Sequence, residues 1–264
     1  MAVRTLSLCT GYGGIELGLR LAGVPLLAVA AVERQAYAAS VIANQMARGA
    51  LGACPIWDDL ESFDGSAFRG CVDLVVAGFP CQGASVAGKR LGTSDKRWLW
   101  PSVWRTVADS GASLLFIENV SGLLTVNKGG AFDEIISDLA ARGWIAEWDC
   151  VPAGGVGAPH IRDRVFMLAA DPNGGGLQSL RDVGQLDKGE RTQCGNDVDG
   201  CSVSPRWSRI VGRAAPESSF RRVDDGSSAE LDSAWHERTH LHGNGVVPQA
   251  VAAAWRTLVG RITK

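Results

Sequence analysis

The 264-residue chain has no long apolar run. Its most apolar stretch, residues 24–32, is of strand length, far short of the roughly 20 residues of a membrane helix. The N-terminus lacks a basic region followed by an apolar one and a small-residue cleavage site, so no secretory leader is expected. Seven cysteines (Cys9, Cys54, Cys71, Cys81, Cys150, Cys194 and Cys201) occur without a C-x-x-C pair. An odd, scattered set argues against a disulfide scaffold and a zinc knuckle. They read as reduced thiols in a cytoplasm, at most one or two of them with a chemical role. There is no internal repeat and no excess of positive charge: 26 basic residues against 28 acidic ones, net −2. That balance speaks against binding nucleic acid through overall charge. The 46% hydrophobic and 20% charged composition excludes disordered, collagen-like and coiled-coil chains.

Residues 1–170 alternate short apolar runs with amphipathic stretches. Strands are expected at 5–9, 27–32, 73–77, 114–118, 145–151 and 164–169, most nearly all apolar, as strands buried on both faces are. Helices are expected at 14–21, 35–48, 99–108 and 132–142. This alternation predicts an α/β fold, a mostly parallel sheet with helices on both faces. Ligands in such sheets sit at the carboxyl ends of the strands. Residues 171–242 are rich in Gly, Ser, Arg and Asp, with nine basic and twelve acidic residues, and read as a small loop-rich region. Apolar order returns at 246–259, an expected helix. The division is therefore 1–170, 171–242 and 243–264.

Five motifs follow these elements. Thr10-Gly11-Tyr12-Gly13-Gly14 follows strand one and opens a helix, where glycines allow close backbone approach and N–H groups stand free. About twenty residues on, Glu33 ends the next strand, placed to accept hydrogen bonds from ribose hydroxyls. Gly78-Phe79-Pro80-Cys81-Gln82 puts a cysteine just after a strand. Buried apolar packing is the commoner fate of a free cysteine, and a nucleophile is the alternative. Glu118-Asn119-Val120 ends another strand. A carboxylate there is costly to bury alone and suits a raised pKa and proton donation. In Pro159-His160-Ile161-Arg162-Asp163-Arg164, strand alternation sets both arginines on one face, suited to phosphate or a polar base edge. Gly243-Asn244-Gly245-Val246-Val247-Pro248-Gln249 opens the last helix.

Together and in this order, the five motifs resemble the DNA (cytosine-5)-methyltransferase family, over residues 1–170 and 243–260. With so short a variable region the chain is similar to compact phage or prophage members. The resemblance implies a Rossmann-like S-adenosylmethionine-dependent sheet plus a recognition region at 171–242. It implies Cys81 as nucleophile on cytosine C6, Glu118 as donor to N3, and Arg162 and Arg164 holding the base. The cofactor S-adenosyl-L-methionine is expected at Gly11, Tyr12, Gly13, Gly14, Glu33, Pro80, Leu99, Asn244 and Val246. Asp59, or alternatively Asp58, is expected at the adenine amine. Double-stranded DNA is the implied partner of a monomeric enzyme, meeting Gln82, Ser85, Lys89, Arg90, Lys96, Arg97 and Asn119.

The alternatives are RNA cytosine methylation, a catalytically silent DNA-binding homologue, and an altered methyl donor. Three features depart from the pattern: Ser7 and Leu8-Cys9 where the family carries an acidic residue and a phenylalanine, and His160 for the common glutamine. His236, His240 and His242 lack partners at ligand spacing and read as facing solvent or DNA, so no metal is expected. Residues 89–105 carry five cations against Asp95, a local positive patch that suits phosphates. Trp98, Trp100 and Trp104 are expected to pack the helix there.

Overall fold

A computed structural model describes residues 2–80, 98–158, 162–186 and 245–264. Seven strands form one sheet: β1 (Val3–Leu8), β2 (Leu26–Val32), β3 (Ile56–Trp57), β4 (Leu74–Ala77), β5 (Leu114–Val120), β6 (Ile145–Pro152) and β7 (Asp163–Ala170). Their order is β3-β2-β1-β4-β5-β7-β6. The first five are parallel, and β7 runs antiparallel to both β5 and β6. The helices are α1 (Gly14–Leu21), α2 (Ala36–Ala47), α3 (Trp100–Ser110), α4 (Gly130–Ala141), α5 (Gly176–Leu186) and α6 (Pro248–Ile262). This is the expected α/β class, with every expected strand and helix present within a few residues.

Alternation along the strands supplies both core layers. Leu6, Leu8, Val75, Ala77, Leu115 and Ile117 meet Trp100 and Val103 of α3 and Ile135 and Leu139 of α4. Leu74, Val76, Leu114, Phe116 and Phe166 meet Leu19 of α1 and Val251, Trp255 and Leu258 of α6. Gly18 lets α1 and α6 touch: a Cβ there would lie 2.3 Å from Val251 Cβ and 2.6 Å from the Pro248 carbonyl. Trp100 is fully buried, stacked 5.7 Å from Trp104, and donates its Nε1–H to Asp138 at 2.7 Å. Trp98 donates to Glu134 at 3.1 Å. These tryptophans thus secure α3 against α4.

Helix α5 lies where a loop-rich segment is expected. Its single apolar stripe puts Leu180 in the second core layer, and the Asp171 amide donates to the Ser113 carbonyl. Packed structure therefore continues past residue 170. Among the described residues no helix is long and apolar enough to cross a membrane, and none group to hold a metal ion.

Register positions the site. Leu8 lies opposite both Val32 and Ala77, and Ala77 opposite Ile117. The next residue of each strand or its exit, namely Cys9, Glu33, Gly78 and Glu118, therefore lies on one rim. Because β7 is reversed, its first residues reach the same rim: Arg164 lies opposite Val120.

Candidate active site

The turn after β1 is built on left-handed residues: Cys9 (φ 53°), Gly11 (φ 60°) and Gly13 (φ 82°). At Gly11 this conformation favours glycine, and a Cβ would meet nothing within 4 Å. The turn's backbone thus faces open space that a ligand can enter. The Gly11 amide donates to Glu33 Oε2 at 2.7 Å, and the Gln35 amide to Oε1 at 2.8 Å. Burial pushes the Glu33 carboxyl up, while these amides favour its charged form. Each oxygen keeps acceptor capacity for a hydroxyl.

Tyr12 joins the C-terminal segment to this turn. Its hydroxyl donates to the Val246 carbonyl, and the Gln45 side chain donates to the Tyr12 carbonyl at 2.8 Å. Gly14 sits against Val246 and the Tyr12 ring. The Glu33 amide donates to the Trp57 carbonyl at 2.9 Å, so β3 delivers Asp58 and Asp59 beside Glu33. Asp58 is exposed; Asp59 is half-buried and accepts from the Glu61 amide at 3.1 Å. Pro80 is exposed at the rim, and half-buried Leu99 packs on the first core layer.

On the other half of the rim, Arg164 Nε lies 2.8 Å from Glu118 Oε1. Burial lifts the Glu118 carboxyl to about 6, against the pull of Arg164 and Arg162. Burial and the Arg164 charge lower the affinity of Arg162 for its proton. Both arginines therefore converge on one carboxylate, although Arg162 lies just before β7 and not within it. Gly78 adjoins this carboxylate: a Cβ at that position would sit 3.5 Å from Glu118 Oε2, in ordinary contact.

Asn119 faces inward. Expected at the DNA, it is 3% exposed, and its amide donates to the Phe79 carbonyl at 3.0 Å. It anchors the peptide leading to Cys81 from behind. Cys81, Gln82, Ser85, Lys89, Arg90, Lys96, Arg97 and Asn244 lie outside the described residues. Among the described thiols, Cys9 is pushed up to about 12 by burial and by Glu33, and Cys54 to about 11 by burial. A thiol so disposed stays protonated and is a poor nucleophile. Gln45, which reaches the Tyr12 carbonyl, and Glu16, which lines a cavity with Ser7 and Thr10, lie at the Gly-rich half of the rim without a motif to announce them.

The C-5 cytosine-specific DNA methylase family profile matches residues 3–178. The chain is 31% identical over 173 residues to the Type II methyltransferase M.NgoMIV of Neisseria gonorrhoeae, covering 64% of this chain and 52% of that one. It is 32% identical over 170 residues to the Type II methyltransferase M.CviJI of Paramecium bursaria Chlorella virus IL3A, covering 64% and 43%. The chain thus spans about half the length of these relatives. The fold is similar to that of S. pombe Dnmt2 methyltransferase (TM-score 0.51, 22% identity, 64% and 50% covered). It is also similar to that of Entamoeba histolytica methyltransferase EhMeth (TM-score 0.53, 17% identity, 64% and 53% covered). With two thirds of its length matched by the profile, the chain belongs to the C-5 cytosine-specific DNA methylase family.

Proposed function

We propose that this chain transfers a methyl group from S-adenosylmethionine to C5 of a cytosine in double-stranded DNA. One observation carries the reading. A Gly-rich turn held to Glu33 and a buried Glu118–Arg164 pair share one rim, with the peptide to Cys81 between them.

The donor fits the first half of this rim. Gly11 offers an open backbone approach, and the Glu33 oxygens can accept from ribose hydroxyls. Asp59 is the acceptor for the adenine amine, and Pro80, Leu99 and Val246 supply apolar lining. When bound, the donor supplies an electrophilic methyl sulfonium.

The other half acts on the base. Cys81 thiolate forms a bond to C6 as the C5–C6 π bond opens, and electron density moves toward N3. Glu118 passes its proton to N3, and the Arg164 and Arg162 guanidiniums stabilise the carbonyl end of the ring. C5 then takes the methyl group, breaking the methyl–sulfur bond. Loss of the C5 proton to a base and departure of Cys81 restore the aromatic ring, and N3 returns its proton to Glu118. A stacked cytosine offers C6 to no side chain, so the base is flipped out. Target recognition is assigned to residues 171–242, and all the named groups come from one chain.

The test is trapping on duplex DNA that carries 5-fluorocytosine, with donor present. The chain is expected to form a denaturation-resistant adduct, and Cys81→Ser to form none. Equal trapping by both overturns the mechanism. Adducts on tRNA but not on DNA overturn the substrate.

A further inference from the structure

We propose that Trp98 is a positioning residue for Cys81, acting through the ring of Phe79, and that Glu134 on α4 fixes its indole. The inference rests on the reading that Cys81 is the nucleophile.

The peptide at Phe79 is held at three points. The Gly78 amide donates to the Leu8 carbonyl at 3.2 Å, and the Phe79 carbonyl accepts from Asn119 at 3.0 Å. The Phe79 side chain is buried, and its ring meets Trp98 edge to face with centroids 5.8 Å apart. Trp100 lies on it as well, at 6.3 Å.

The orientation of Phe79 passes to Cys81 because Pro80 stands between them. Proline locks its own φ and keeps the residue before it extended. Only the ψ of Pro80 is left soft between the Cα atoms of Phe79 and Cys81. A nucleophile misplaced by about 1 Å can lose about 10²-fold in rate. What holds the Phe79 ring therefore bears on the addition step.

The grip of α3 on α4 does not depend on Trp98. It is made within the helix by Trp100, which donates to Asp138 and stacks on Trp104. Trp98 precedes the helix and is half-buried. Its Nε1–H donates to Glu134 at 3.1 Å, one turn before Asp138 on α4. An indole fixed at its polar edge presents its ring in one orientation, here to Phe79. Trp98 also directly follows residues 81–97, so this one contact joins the two flanks of the stretch that begins with Cys81.

The experiment uses the full chain as wild type, Trp98→Phe, Trp98→Leu and Glu134→Ala. It measures the rate of adduct formation on 5-fluorocytosine duplex DNA at saturating DNA and donor, S-adenosylhomocysteine affinity, and melting temperature. Rates are taken well below the melting temperatures, where a change in stability alone leaves them unmoved. Trp98→Leu is expected to slow the adduct step about tenfold or more, while S-adenosylhomocysteine affinity holds. Trp98→Phe keeps a ring against Phe79 and is expected to fall between Trp98→Leu and wild type. Glu134→Ala is expected to slow the step about threefold, the scale of one hydrogen bond. A wild-type rate in folded Trp98→Leu overturns the proposal alone, as does an equal loss of rate and affinity. Should Trp98→Leu fail to fold, a wild-type rate in Glu134→Ala overturns it. A wild-type chain that forms no adduct on DNA overturns the functional reading and this proposal with it.

Discussion

Asn119, near the end of β5, donates its amide to the carbonyl of Phe79 across 3.0 Å, tying the strand of Glu118 to the peptide two residues before Cys81. Replacing Asn119 with alanine leaves that carbonyl buried and unpaired, at a cost of about 1–3 kcal/mol. Urea denaturation should show the loss. Trapping on 5-fluorocytosine DNA should slow by more than S-adenosylhomocysteine binding weakens. An equal loss of both would mean that Asn119 supports the fold alone.

Glu118 should govern the chemical step and carry its own pH signature. Glu118→Gln is expected to slow adduct formation about 10²–10⁴-fold, while S-adenosylhomocysteine affinity holds. In the folded chain the carboxyl titrates at about 6 against an ordinary 4.5. The folded state binds this proton more tightly than the unfolded state does. The stability contributed by the protonated form is thus complete below 4.5 and is lost as pH rises through about 6. Wild type should lose stability relative to Glu118→Gln across that window. Parallel stability curves for the two proteins would contradict this assignment.

Glu33 has one acceptor for the Gly-rich turn and another for the start of α2. Glu33→Ala removes both acceptors and, on the proposed function, the ribose contact. S-adenosylhomocysteine binding should weaken at least about tenfold, on the scale of a lost buried hydrogen bond. Glu33→Gln keeps one acceptor and should fall between. Calorimetric titration of the three proteins checks the order.

Gly18 is a pure packing test, since it lies on α1 away from the rim. Its Cβ would meet Val251 at 2.3 Å, so Gly18→Ala must push α1 from α6. The expected cost is about 1–3 kcal/mol, read by thermal denaturation. A variant as stable as wild type would show that the two helices part freely.

Strands and helices are largely legible in the chain because apolar runs and amphipathic periods are local signals. The residues after β1, β2 and β4 and at the end of β5 could be named as candidates for the same reason. What stayed hidden depends on partners far along the chain. Asn119 turns inward because Phe79, forty residues earlier, presents a carbonyl. Gln45 serves the site only because α2 packs beside the turn and its amide reaches Tyr12. Helix α5 has one apolar stripe whose value appears only when Leu180 meets the second core layer. Net charge says little of local surfaces for a related reason, since it sums acids such as Glu33 with the local cations of residues 89–105.

The reversed strand has a consequence for how the molecule comes off the ribosome. Among the described residues, β6 pairs only with β7, which emerges after it. The first five strands can assemble while residues 145–152 wait with both edges open. A nascent chain stalled before residue 162 would hold the turn, Glu33 and Glu118, with the carboxylate still lacking its arginines. Synthesis of β7 then places the outer strand and supplies the countercharge together.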